Sequence, residues 1–211
     1  MKVLSVNIGK REKIQWKNKT VETGIYKKPV DAPIFLDTEN VINDHVVDQK
    51  HHGGKDMAVY AFTKNHYAHF QELYPDLEFY NGIFGENLTV SNLFETGVCI
   101  GDVFKIGDAI IQVAQPRFPC FKLGIVFGTQ KIVKQYLHTS YCGFYFRVLQ
   151  KGNVQKGDEI ILIEKAKNSM SVADIYSLYS TNRENKKMIN DALALEFLAE
   201  QCKTNFRRKL L

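Results

Sequence analysis

The alternation of apolar and polar residues predicts a chain built mainly from short β-strands. Residues 2–8 alternate in the way expected of a half-buried first strand. Residues 10–28 are mostly polar and are predicted to form two short strands joined by a hairpin at Lys17-Asn18-Lys19. Residues 57–61 start either a strand or a helix. The further strand candidates are residues 30–36, 41–44, 99–106, 109–115, 143–149 and 159–164, and residues 82–90 are predicted to be a glycine-bracketed turn that runs into a strand.

Helical spacing of apolar residues occurs in fewer places. Thr63 is a suitable N-cap for a helix over residues 64–73, and Pro75 ends that helix. A short helix is predicted directly after Pro119, and another over residues 131–138.

The last part of the chain changes from strands to helices at about Lys165. Ser171 caps a short helix, and apolar residues at helical spacing over residues 187–203 predict one longer helix. We therefore expect a mostly β fold with helical insertions, arranged as a barrel or a sandwich over residues 1–164. Residues 165–211 are expected to form a small helical domain.

Composition narrows the class of protein only modestly. A chain of 211 residues with 45% hydrophobic content suits one sizeable domain with a small appendage. The net charge of +5 is spread among 23 acidic residues, and no basic stripe interleaved with aromatic residues favours nucleic acid. No apolar stretch approaches the ~20 residues of a membrane span. The N-terminus has no export signal, so the four cysteines are expected to be reduced thiols of a cytoplasmic protein.

The candidate chemistry is centred on Cys120, which follows two closely spaced prolines. Pro116 and Pro119 fix their own backbone angles and restrict the residue before them, so the chain leaves the strand in a predetermined direction. A helix beginning after Pro119 places Cys120 near unpaired N–H groups that lower the pKa of a thiol. Arg117 and Lys122 add positive charge. The sequence therefore predicts a rigidly held thiolate, and the alternative is a buried structural cysteine.

Other unusual polar residues stand at the ends of strand candidates, where a barrel collects a site at its mouth. His52 is followed by a glycine pair, which permits close approach of backbone N–H groups to a ligand or simply forms a tight turn. Glu86 and Asn87 offer groups suited to the edge of a heterocycle, or form a turn with an Asx bond. Arg147 lies in an aromatic strand, where it meets an anion or a carboxylate if it faces inward and is a surface residue if it does not.

A hydrolase is a second way to combine these residues. Cys120 with His52 as a base and Asn87 as the orienting residue would form a Cys–His nucleophile. The sequence has no P-loop, no GxSxG, no HExxH and no spacing typical of structural zinc.

Several short motifs follow one another in a specific order. They are His52-Gly53-Gly54 with Asp56 and Ala58, Phe84-Gly85-Glu86-Asn87-Leu88, Gly101-Asp102, Pro116-Arg117 with Pro119-Cys120 and Lys122-Leu123, and Gly143 with Arg147-Val148-Leu149. In this order they resemble the MOSC domain, the family named for the C-terminal domain of molybdenum cofactor sulfurase, and within it the stand-alone YiiM-like branch. The resemblance runs from about residue 2 to 164, and the C-terminal segment resembles the three-helix extension of that branch.

The resemblance implies a β-barrel core and a molybdenum cofactor (molybdopterin) whose metal is ligated by Cys120. Relatives reduce N-hydroxylated compounds, including hydroxylaminopurine-type base analogues, with electrons from a partner reductase. A soft, anionic thiolate is the ligand that a metal with dithiolene sulfur favours. Met57 stands where a basic residue is common in the family, which bears on substrate preference more than on cofactor binding.

We therefore predict that Cys120 is the metal ligand and a catalytic residue, and that His52 is a second catalytic residue that donates protons. A non-catalytic carrier of sulfur or of the cofactor on the Cys120 thiol is the alternative. A nucleic-acid-binding protein acting through the basic tail ranks behind both, and the oligomeric state, a homodimer included, stays open. The predicted cofactor-binding residues are His52, Gly53, Gly54, Glu86, Asn87, Arg117, Lys122 and Arg147.

Overall fold

Strands are the main element of the protein, which confirms the predicted mostly β fold. The structure, a computed structural model, describes residues 1–45 and 53–210. The strands in these ranges are β1 (Lys2–Gly9), β2 (Glu12–Trp16), β3 (Lys19–Thr23), β4 (Lys27–Val30), β5 (Ile34–Leu36), β6 (Val59–Thr63), β7 (Leu88–Ser91), β8 (Val103–Ile106), β9 (Ala109–Pro116), β10 (Phe144–Gln150), β11 (Gly152–Val154) and β12 (Ile160–Glu164).

Eight of these strands form one mixed sheet, in the order β12-β8-β9-β10-β6-β7-β1-β4. Neighbouring strands are antiparallel except β6 and β7, which are parallel. Two further pairs lie outside the sheet, β5 with β11 and the hairpin of β2 with β3. The hairpin turns where the sequence predicted, with Lys17 and Asn18 at φ values of 45° and 60°.

The sheet curls but does not close into the expected barrel. One edge of β1 pairs with β4 along Val6–Gly9. Only the first residues of β1 are therefore free to pair with β12, the strand at the opposite edge of the sheet. There Lys2 forms a single bridge with Glu159, and the Ile160 N–H donates to Met1 O at 3.0 Å. Because β4 already occupies the rest of β1, no ladder forms between β1 and β12 in the described residues, and the barrel is open at this point.

Helices connect the strands and follow them. The α-helices are α1 (Tyr67–Leu73), α2 (Phe121–Val126), α3 (Lys131–Leu137), α4 (Val172–Ser177), α5 (Lys186–Ala194) and α6 (Glu200–Leu210), with single 3₁₀ turns at Lys55–Met57 and Lys64–His66. Ser171 caps α4 as predicted, in a capping box with Asp174. Thr63 does not cap the turn that follows it; its hydroxyl donates to Asn65 Oδ1 at 3.1 Å instead.

Four predicted elements differ from the structure. Residues 30–36 are not one strand, because β4 ends at Val30 and β5 begins at Ile34. Residues 41–44 are not a strand, because Val41 makes one bridge with Leu36 before the chain turns. Residues 99–102 are mostly turn, and the strand begins at Val103. Residues 187–203 are not one helix but parts of α5 and α6. Between them the Ala199 N–H donates to Ala114 O at 3.1 Å, a tertiary contact that overrides the helical pattern.

A single hydrophobic cluster joins the sheet to the C-terminal helices. Phe62 and Phe146 of the sheet belong to the same cluster as Ile189 and Phe206 of the extension. The division into domains at residue 164 stays a prediction. Within residues 1–45 and 53–210, no helix combines the length and the apolar content needed to cross a bilayer.

Candidate functional site

Cys120 lies in the short connection between strand β9 and helix α2. Strand β9 ends at Pro116, and α2 begins at Phe121, directly after the cysteine. Cys120 has extended backbone angles (φ −117°, ψ 170°) and occupies the N-cap position of α2. The predicted mount of the thiol at the start of a short helix is therefore confirmed. The side chain is partly exposed rather than buried.

The thiol-bearing residue lines a cavity of about 640 Å³, a volume that includes the open mouth. The wall combines the end of the β2–β3 hairpin, the turn before β7, strands β6 and β10, and the start of α2. The lining residues are Thr23, Gly24, Ile25, Lys27, His45, Met57, Ala58, Tyr60, Phe84, Gly85, Asn87, Arg117, Cys120, Lys122 and Tyr145.

Arg117 is a buried cation with no carboxylate partner in residues 1–45 and 53–210. It is 5% exposed, and its Nη1 atom is buried with no hydrogen-bond partner in the described part of the chain. Its guanidinium carbon lies 5.1 Å from the ring centre of Tyr136 and 5.6 Å from that of Tyr60. Burial raises the pKa of Tyr60 well above its usual value, so this ring is neutral at physiological pH. No described residue therefore neutralises the charge that Arg117 carries at the wall of the cavity.

Two lysines add to this positive wall. Lys122 is 9% exposed and makes no ion pair with any described residue. Lys27 is also buried, and its ammonium group pairs with Asp44. Burial lowers the pKa of Lys27, while Asp44 acts in the opposite direction. No Asp or Glu among the described residues lines the cavity, so the wall is net positive.

Asp44 joins the cavity wall to the first strand. Its Oδ2 accepts hydrogen bonds from Lys27 Nζ and, at 3.0 Å, from Asn87 Nδ2. Its Oδ1 accepts the Gly9 N–H at 2.7 Å. Asn87 in turn accepts the Tyr60 N–H at 3.2 Å. The predicted residue Asn87 thus lines the cavity, and its side chain is held by protein groups on both sides.

Glu86, the neighbouring predicted residue, lies beneath the site rather than in its wall. It is fully buried and accepts hydrogen bonds from Tyr67 Oη, the Gly82 N–H at 2.8 Å, the Phe84 N–H at 3.1 Å and Thr89 Oγ1 at 2.8 Å. Burial raises its pKa, and these hydrogen bonds act against that rise. Glu86 therefore shapes the turn that brings Phe84 and Asn87 to the cavity.

Arg147 faces inward far enough to contact a carboxylate, which is one of the two interpretations that the sequence left open. It does not line the cavity. Its Nε donates to Asp56 Oδ1 at 2.8 Å, its Nη1 to Gln112 Oε1 at 2.9 Å, and its Nη2 to Phe197 O at 2.9 Å. These contacts tie β10 to the turn at Asp56, to β9 and to the C-terminal extension. All three guanidinium nitrogens have protein acceptors.

The histidine–glycine motif is only partly described. His52 lies outside the described residues, so its predicted roles in catalysis and cofactor binding stay predictions. Gly54 has the positive φ that the glycine pair suggested, 87°, and precedes the turn Lys55–Met57. Neither Gly53 nor Gly54 is among the lining residues of the cavity.

The sequence interpretation missed several lining residues. Tyr60 and Tyr145 are cross-strand neighbours on β6 and β10, with ring centres 5.2 Å apart. The strands that carry them were predicted, but no sequence feature near either tyrosine indicates that β6 pairs with β10. Lys27 and His45 come from polar segments whose meeting with Asn87 depends on the folded sheet.

Comparison with known proteins gives a consistent assignment. The family model of the MOSC domain matches residues 48–161. The chain is 38% identical over 207 residues to the uncharacterized protein YflK of Bacillus subtilis (strain 168), covering 98% of this chain and 93% of that protein. It is 36% identical over 158 residues to a protein named reductase from Gibberella moniliformis, covering 74% of this chain but 28% of that longer protein.

A solved structure extends the similarity to the whole chain. The crystal structure of YiiM from Geobacillus stearothermophilus matches with a TM-score of 0.84 at 30% identity, covering 100% of this chain and 99% of that one. The family model covers more than half of the sequence, and the motifs around Asn87 and Cys120 lie within it. The chain therefore belongs to the MOSC domain family.

Proposed function

We propose that this MOSC-family protein is a molybdenum-cofactor-dependent reductase of N-hydroxylated compounds, such as hydroxylaminopurine-type base analogues, with electrons from a partner reductase. The observation that carries the proposal is the position of Cys120 in the wall of a cavity lined by Arg117, Lys122 and Lys27. Membership of the family and a relative named reductase support the class of reaction.

The side chains present fit the charge of the cofactor. Molybdopterin carries a phosphate and dithiolene sulfurs, so it needs cationic or N–H donor groups around it. Arg117 offers a buried guanidinium whose Nη1 has no partner in the described structure. A buried cation without a counter-ion is costly, and an anionic ligand would remove that cost. Arg117 and Lys122 are therefore the residues that would hold the anionic part of the cofactor.

The thiol suits the metal for a separate reason. Molybdenum bound by dithiolene sulfur favours a soft anionic ligand, and the Cys120 thiolate is of this kind. Its backbone is held between β9 and α2, so its direction does not depend on a long loop. When bound, the cofactor would supply the two electrons that the reduction requires.

The rest of the cavity suits a flat, partly apolar substrate. Apolar and aromatic side chains also line the cavity, among them Ile25, Phe84 and Tyr145. Such a surface packs against a planar base, and Asn87 lies beside it as the amide group of the wall. Reduction of an N–OH group to N–H also consumes two protons and releases water.

The experiment compares two cysteine variants of protein purified from a host that makes the cofactor. Wild-type protein should hold molybdenum close to one atom per chain and reduce 6-hydroxylaminopurine with reduced methyl viologen. Cys120→Ala should lose both the metal and the activity. Cys99→Ala, a partly exposed cysteine outside the cavity lining, is the matched control and should keep both.

Two results would contradict the proposal. Molybdenum retained in Cys120→Ala would show that this thiol is not the ligand. A persulfide on Cys120 by mass spectrometry, in wild-type protein that reduces nothing with any donor, would favour the sulfur carrier instead.

A further inference from the structure

We propose that His45 is a catalytic residue of this cavity, the acid that delivers a proton to the hydroxyl oxygen of the N-hydroxylated substrate. The inference rests on the proposed function and deepens it. His45 is exposed and lines the same cavity as Cys120. Its imidazole makes no hydrogen bond, ion pair or ring contact with any other described residue, so nothing in these ranges holds its proton in place.

The backbone of His45 is placed by two glycines. A Cβ on Gly24 would lie 1.7 Å from His45 O, and a Cβ on Gly9 would lie 2.2 Å from Gly24 O. Only residues without a side chain allow three segments to approach this closely. The His45 N–H also donates to Gly9 O at 3.1 Å. His45 is therefore pressed against the end of the β2–β3 hairpin at the rim of the cavity.

The preceding residue anchors the same segment from the other side. Asp44 accepts hydrogen bonds from the Gly9 N–H, from Lys27 and from Asn87. Asn87 belongs to the motif that defines the MOSC resemblance. The position of His45 is thus fixed by the polar network that also shapes the wall of the site.

Among the described residues, the other charged and titratable groups that line the cavity are poorly suited to move protons near neutral pH. Arg117 stays protonated, and the ammonium group of Lys122 is buried. The proton of Lys27 is held by Asp44. Burial raises the pKa of Tyr145 to about 12 and that of Tyr60 well above its usual value. Cys120 is committed to the metal in the proposed function. An exposed imidazole exchanges protons with water and is the side chain best suited to act as an acid or a base near neutral pH.

The reaction needs two protons. Either His45 gives both in turn, or His45 gives one and solvent gives the other. The N–O bond of R–NH–OH breaks, two electrons and two protons are taken up, and R–NH₂ and water are formed. The imidazolium of His45 gives its proton to the departing oxygen, which leaves as water. Bulk water then reprotonates the neutral imidazole, which is exposed. The electrons come from the partner reductase of the proposed function.

The kinetic test compares His45→Gln with His138→Gln in cofactor-loaded protein. His138 is an exposed histidine outside the cavity lining, with its Nδ1 bonded to Lys134 O. With reduced methyl viologen and 6-hydroxylaminopurine, wild-type kcat should fall as pH rises from about 5 to about 8. His45→Gln should lower kcat about 100-fold and abolish this pH dependence, with molybdenum content unchanged. His138→Gln should behave as wild type.

A second readout does not depend on the cofactor. In unloaded protein, the His45 imidazole signal in an NMR spectrum is identified by its absence from His45→Gln. Adding 6-hydroxylaminopurine should shift this signal and leave that of His138 in place. Unchanged kcat and pH profile in His45→Gln would overturn the proposal. If wild-type protein holds no molybdenum, the proposed function fails, and the NMR experiment then tests His45 alone. A His45 signal that does not shift when 6-hydroxylaminopurine is added would overturn the role proposed for this residue.

Discussion

The guanidinium carbon of Arg117 lies 5.1 Å from the centre of the Tyr136 ring, with no carboxylate among the described residues to neutralise it. Favourable cation–π contact offsets only part of the cost of burying such a charge. A group in this state stabilises a bound anion more than it stabilises the protein itself. Stability and anion binding should therefore respond in opposite directions when Arg117 is changed.

We expect Arg117→Met to leave the free energy of unfolding unchanged or to raise it by up to about 2 kcal/mol in phosphate-free buffer. Wild-type protein should gain stability when phosphate is added, because the anion binds the folded state, and the variant should lose most of that gain. Urea denaturation with and without phosphate measures both effects. Arg117→Lys keeps the charge and should retain part of the gain. A variant that is strongly destabilised yet still binds phosphate would contradict this account.

Changing one member of the Lys27–Asp44 pair should lower the stability of the protein, whereas removing the charge of Arg117 should not. Asp44→Asn leaves the Lys27 ammonium buried without a counter-ion, and removing one partner of a buried pair costs about 3 to 5 kcal/mol. The double variant Asp44→Asn with Lys27→Met should recover part of that loss. Denaturation of the two variants side by side measures the difference, and equal stability would show that the unpaired ammonium is not the cause.

The same pair gives a pH dependence. Burial lowers the pKa of Lys27 from its usual value of 10.5. Between the lowered folded pKa and 10.5, the unfolded chain binds more protons, so this group makes stability rise with pH. Asp44→Asn removes the interaction that opposes the shift, so the rise should begin at lower pH in the variant. Free energies of unfolding measured across the alkaline range test this; identical slopes for both proteins would refute it.

Glu86 should be a structural carboxylate with the reverse dependence. Its pKa is raised from 4.5 by burial, so its contribution is complete below pH 4.5 and is lost as pH rises through the folded pKa. Glu86→Gln should remove this dependence and destabilise the fold by about 1 to 3 kcal/mol, because one of its N–H donors then faces an amide NH₂. Urea denaturation from pH 4.5 upward compares the two proteins. A Gln variant that keeps the wild-type pH profile would assign the dependence to another group.

The sequence could predict the parts of the site that local geometry determines. Two prolines and a helix start are enough to orient Cys120, and the turn residues around Asn87 carry a recognisable order. Lys27 and His45 were not predicted as site residues, because their position depends on how β1, β4 and the hairpin meet in space. Glu86 was expected to face a ligand, since a sequence cannot show that four neighbouring donors already bond to its side chain.

The C-terminal extension shows the same limit. Residues 187–203 have an unbroken apolar pattern at helical spacing, with no Gly or Pro to interrupt it. The helix nevertheless ends at Ala194, because Phe197 O accepts a hydrogen bond from Arg147 and the Ala199 N–H donates to β9. Partners from the sheet, which are distant in the chain, outweigh a local propensity of less than about 1 kcal/mol per residue.

This junction gives the last prediction. Arg147→Lys keeps a positive charge beside Asp56, but a lysine cannot also reach Gln112 Oε1 and Phe197 O in the forked geometry of arginine. The variant should lose about 1 to 3 kcal/mol of stability and loosen the extension first. Hydrogen exchange should speed up at the Ala199 amide, which bonds to Ala114 O, and stay slow at the Tyr60 amide beside the cavity.

Phosphate binding separates this structural role from the predicted role of Arg147 as a cofactor ligand. Because all three guanidinium nitrogens already have protein acceptors, Arg147→Lys should leave the phosphate-induced gain in stability at its wild-type value, unlike Arg117→Met. If Arg147→Lys loses the phosphate-induced gain in stability while hydrogen exchange at the Ala199 amide is unchanged, Arg147 contacts the anion when one is bound. The two arginines have the same charge, and what distinguishes them is whether the fold has already supplied their acceptors.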